Sequence, residues 1–155
     1  MKLGLLWITF ISVPLLSSCW PKMPAECKAT GFFDLPIAQQ AKQFRGFPME
    51  RQVDLFICDY RYSHPFNVGF AFDVAKHGDE AIPYLADKLK TEKDVNNQGA
   101  IIYILKIMFE DGRVRNKEAA AQVIRRAIPE IKCNASESLC SERLKEIESI
   151  IAPRQ

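Results

Sequence analysis

The chain has 155 residues, a formal net charge of +2, and 48% hydrophobic against 26% charged residues. That apolar share can fill a core and excludes an intrinsically disordered chain. Acids and bases are interspersed, so the densest basic group (Arg113, Arg115 and Lys117, with Arg125 and Arg126 further on) reads as a solvated helix face, and no basic stripe points to nucleic acid.

The first eighteen residues read as a secretory leader. Lys2 is their only charge, and an apolar run from Leu3 to Leu16 follows it. The run is shorter than the roughly 20 apolar residues of a membrane span. It ends in Leu16-Ser17-Ser18-Cys19. This stretch resembles the lipobox of bacterial lipoproteins, an aliphatic residue and two small ones before a cysteine. The resemblance implies that the Cys19 thiol takes a diacylglyceryl group and that residues 1–18 are removed. The covalent lipid is then the only prosthetic group expected. Trp20 stands where an aspartate is associated with inner-membrane retention, so the resemblance leans toward the outer membrane, facing the periplasm.

Residues 19–33, with prolines and small residues, are expected to be a lipidated tether, and 34–155 a single helical domain. Asp34 with Pro36 predicts a helix start, leading through "IAQQAKQF" to Gly46 and Pro48. A helix from Met49 carries Val53, Phe56, Ile57 and Tyr60 at i, i+3, i+4 and i+7. Pro65 is placed in the first turn of the next helix, which Gly78 ends. Asp79 and Glu80 open another, with Pro83 in its first turn. The run from Val95 to Phe109 is apolar nearly all round and predicts the central core helix. A sixth helix from about Asn116 should kink or split at Pro129, and a seventh runs from about Ser138 to Ile151. No strand pattern appears.

The fold class is therefore all-α: about seven short helices stacked as antiparallel hairpins. "GDEAIPYLADKLKTEKD" (78–94) and the apolar helix after it resemble a HEAT-like repeat, and "AIPYL" at Ala81 has an echo in "AIPEI" at Ala127. The usual arginine early in the second helix is replaced by Asn97 or Gln98. The resemblance covers roughly 49–131 and implies an α-solenoid fragment; an irregular helical bundle is the alternative.

Five cysteines in an exported chain become four once Cys19 is lipidated: Cys27, Cys58, Cys133 and Cys140. Four allow three pairings, of which Cys27–Cys58 with Cys133–Cys140 is preferred. No zinc, nucleotide-binding or serine-hydrolase motif occurs, so no metal ligand and no catalytic residue is assigned. Helix-end residues Phe47, Arg61, Tyr62, His64 and Phe66 combine aromatic and arginine side chains and are the predicted partner-binding edge. The expected function is non-catalytic: a membrane-anchored envelope protein that binds another protein, an immunity or assembly factor by analogy. The alternative is an envelope enzyme acting on cell wall or lipid through carboxylates or His64.

Overall fold

A computed structural model describes residues 22–29 and 31–152; the leader and Cys19 lie outside them. Among the described residues the fold is all-α, without strands. Its helices are α1 (Ala25–Lys28), α2 (Ile37–Arg45), α3 (Met49–Tyr62), α4 (Val68–Ala75), α5 (Ala81–Thr91), α6 (Val95–Glu110), α7 (Lys117–Ala127) and α8 (Glu137–Ile151). Side chains of Asn67, Asp94, Asn116 and Ser136 accept N–H groups of the first turns of α4, α6, α7 and α8. Each thereby satisfies a donor that has no partner inside its helix. Gly78, at φ +59°, turns the chain out of α4. A Cβ there would also stand 2.9 Å from the Arg113 carbonyl oxygen, so glycine is required twice over.

The helices form two layers. One holds α3, α5 and α7, the other α4, α6 and α8, and the hairpin pairs α3–α4, α5–α6 and α7–α8 each pack together. Neighbours α5 and α7 run in the same direction: Asp79 and Ile82 share a cleft with Asn116 and Ala119, and Lys90 shares one with Ala127 and Glu130. Helix α6 touches α3, α4, α5 and α8, and its apolar circumference is buried almost throughout, as the sequence predicts. Helix α2 packs on α4, where the Phe44 and Phe70 rings stack with centroids 4.3 Å apart.

Several expectations are corrected. Residues 32–34 form a 3-10 turn, and the helix begins after Pro36, not at Asp34. Pro65 lies outside any helix; α4 begins three residues later, because Asn67 caps it and donates its own N–H to Asp59. The tether region is part of the domain at its end: α1 forms there, and Cys27 and Phe32 are buried. The "AIPYL" segment opens α5 whereas "AIPEI" closes α7, so the two are not equivalent repeat positions. Pro129 does split its helix, into α7 and the 3-10 turn Ile128–Glu130.

Candidate functional site

The five residues predicted to share one edge do not all meet. Phe47 precedes α3, and the other four lie at the far end of that helix, which at 14 residues is roughly 20 Å long. Phe47 is half-buried, 6.2 Å from the Phe32 ring centroid. Phe66 is half-buried too, packed on Tyr60 at 4.8 Å, Tyr103 at 5.6 Å and Phe56 at 6.1 Å. It is a core-side ring. The Arg61 guanidinium lies over the Tyr62 ring at 5.3 Å, forms an ion pair with Asp94, and donates to Asn97 Oδ1 at 3.2 Å. His64 is exposed beside them.

Tyr62 opens onto a cleft of about 230 Å³ between α1, α3, α5 and the start of α6. Lys88 spans it to Asp54 at 2.7 Å; Glu92 accepts from Asn97 Nδ2 at 3.1 Å and from the Asp94 N–H at 2.9 Å. Burial works against the Lys88 ammonium, but the Asp54 carboxylate outweighs it and holds the group above its ordinary range. The Asp94 carboxyl is pushed up by burial and pulled further down by Arg61. These ion pairs hold opposing helices together.

The carboxylates considered for chemistry have structural partners. Asp59 is buried and accepts the Asn67 N–H at 2.5 Å and the Ser63 hydroxyl, fixing the α3–α4 loop. Burial raises its pKa more than those bonds and the His64 charge lower it. Asp73 binds Lys76 at 2.5 Å and Arg45 at 3.0 Å. His77 faces the amide oxygen of Gln52 at 3.2 Å. Neither the α1–α3–α5 cleft nor the α2 groove described below is lined by Asp59, His64 or Asp73. Among the described residues no three His, Cys, Asp or Glu side chains gather as a metal site.

Asp73 has a testable consequence. Burial raises its carboxyl, yet the Lys76 and Arg45 bonds win and hold it below its ordinary value. A depressed carboxylate contributes stability above its unfolded pKa and loses it as pH falls through the folded one. The urea midpoint of the parent should therefore drop between neutral pH and about pH 3 by more than that of Asp73→Asn. Equal drops would show that this ion pair is not linked to folding.

The cysteines pair as preferred. Cys27 and Cys58 are joined with Cα atoms 5.9 Å apart, and Cys133 and Cys140 with Cα atoms 6.1 Å apart. Cys58 is thus no thiol nucleophile for His64. Denatured, unreduced protein should expose no alkylatable thiol at these four positions, read by mass; four alkylations would show that neither bond forms.

Sequence reasoning missed the uncovered apolar side chains. Ile37 is 73% exposed, and Val68 and Phe72 are 38% and 39% exposed. They sit on α2 and α4, which pack together. Ile37 continues the core-side stripe of half-buried Ala41 and buried Phe44 at i+4 and i+7, yet is itself left bare. The stripe was readable; that it would outrun its support was not. Beside it, Leu35, Gln39, Lys42, Gln43, Gly46 and Phe47 line an open groove of about 750 Å³. No helix among the described residues is long and apolar enough to cross a membrane. In comparisons with protein-family models, with curated proteins and with solved structures, nothing matches this chain.

Proposed function

We propose that the chain is a lipid-anchored protein of the bacterial envelope that binds another protein without catalysing a reaction, on a scaffold of HEAT-like helical hairpins. The observation that supports binding is on the packed pair α2 and α4: of the four large hydrophobic residues exposed among the described residues, three lie there. Scattered single apolar residues are ordinary on a surface, whereas a local concentration marks an interaction site. Arg45 and Lys76, largely exposed beside Asp73, supply a charged border to the patch. Lipid attachment rests on Leu16-Ser17-Ser18-Cys19, and it would place the domain on the outer membrane, in the periplasm. An immunity or assembly role is the form of binding this architecture suits.

The test of binding is crosslinking capture from intact envelopes with Phe72→Ala and Ile37→Ser beside the parent. Loss of one crosslinked band in both variants, with melting little changed, supports the reading; an unchanged band refutes the patch. The test of the anchor is Cys19→Ser. It should remain an uncleaved precursor that takes up no alkyne fatty acid, and equal label on variant and parent would sink the idea.

A further inference from the structure

We infer that the outer surface of α3 and α5, where α1 is clamped, is apposed to the lipid bilayer, and that the layer of α4, α6 and α8 is turned away from it. This rests on the proposed lipidation of Cys19 and adds an orientation to it.

The clamp is the first observation. Cys27 of α1 is bonded to Cys58 of α3. Phe56 and Tyr60 of α3 point to Tyr103 of α6, with centroids 6.2 and 6.1 Å away. Cys58 is two residues from each of them, about 200° round the helix. The attachment point therefore stands on the side of α3 opposite the second layer. Pro24, Glu26 and Cys27 line the cleft with Arg51, Lys88 and Glu92, which places α1 over α3 and the end of α5.

The second observation is the length of chain between the lipid and the clamp. Cys27 follows Cys19 by eight residues. Fully extended, they span at most about 26–29 Å. A domain of this size has a radius of gyration of roughly 14 Å and is thus about 36 Å across. The path from the clamp round to the opposite side is roughly half its circumference, about 55 Å. Eight residues cannot cover that path, so the second layer cannot be laid on the membrane that holds the lipid.

Attraction is not needed. On the clamped face Lys22, Lys28 and Arg51 stand against Glu26 and Glu92, and Lys88 is paired with Asp54, so the excess charge is small. Chain length sets the orientation, so it should withstand salt. A consequence is that Phe72 and Val68 on α4, in the layer away from the clamp, remain open to a partner from the aqueous side.

The experiment uses full-length lipoprotein reconstituted in phosphatidylethanolamine–phosphatidylglycerol vesicles containing nitroxide-headgroup lipid. A fluorescent non-canonical residue replaces Glu26 in one sample and Lys106, the exposed residue between the buried Leu105 and Ile107 of α6, in another; mass spectrometry reads the lipid on Cys19. Expected is several-fold stronger quenching at 26 than at 106. The difference should persist at 1 M salt, where the Debye length is about 3 Å. It should shrink when about twenty Gly-Ser residues, adding about 22–27 Å of root-mean-square reach, are inserted after Trp20. Equal quenching on lipidated protein, or stronger quenching at 106, overturns the orientation while leaving the anchor intact. A difference abolished by salt overturns the tether as its cause. Protein without lipid on Cys19 overturns the underlying anchor.

Discussion

Phe56→Ala is expected to destabilise the domain by about 3–5 kcal/mol, the cost of emptying a fully buried aromatic site. Phe56 is 0% exposed and touches Tyr60, Phe66 and Tyr103, so three rings from α3, the α3–α4 loop and α6 lose a common neighbour. For a domain of this size the loss lowers the melting temperature by roughly 10–20 °C, and it is a large share of a typical total stability of about 5–15 kcal/mol. Phe66→Ala should follow in the same direction with a smaller drop, because its ring is only half-buried. Phe72→Ala should show the smallest drop of the three, because its side chain is 39% exposed. The three variants thereby sort the rings of this aromatic-rich region into core and surface. A Phe66→Ala melt indistinguishable from the parent would return that residue to the partner-binding edge.

The same rings mark where the sequence was legible and where it was not. The 3.6-residue period placed α3 and α6 closely, because a helix buried against several neighbours must be apolar on most of its faces, and that pattern is written locally. Proline and glycine marked the split at Pro129 and the turn at Gly78 for equally local reasons. What failed was non-local. Nothing near Phe66 in sequence announces that Tyr103 will lie beside it. Nothing near Phe47 announces that the length of α3 separates it from Arg61. Asn67 outcompeted Pro65 as the start of α4 because a buried carboxylate eight residues earlier fixes its backbone. Ile37 shows the same limit from the other side: its stripe predicts burial, and only the arrangement of helices leaves it bare.

Removing the Cys27–Cys58 bond is expected to have two separable effects. The bond closes a chain separation of 31 residues, and the loop-entropy account assigns such a bond about 3.5–4 kcal/mol. Cys133–Cys140 closes a separation of 7, and the same account assigns it about 2–2.5 kcal/mol. The paired serine variant at 27 and 58 should therefore show the lower urea midpoint of the two double variants. Packing strengthens the contrast. Cys27 is 5% exposed and its helix has only four residues, too short to persist without its docking site. Cys133 and Cys140 are only half-buried, and the backbone near them keeps other ties: Asn134 N–H donates to the Lys93 carbonyl, and Gln98 donates to those of Glu92 and Lys132. The second effect is geometric. Without the clamp, the anchored chain runs free to Phe32, whose buried ring is the next fixed point. Thirteen residues instead of eight then separate it from Cys19, and the extended reach grows to roughly 43–47 Å. That reach still falls short of the path of about 55 Å to the opposite side, so the quenching difference on vesicles should narrow without vanishing in the 27/58 variant and be unchanged in the 133/140 variant, at a temperature where both are folded. Equal midpoints for the two double variants would show that the denatured chain does not gain freedom in proportion to loop length, and the stabilisation would then belong to local packing at each bond.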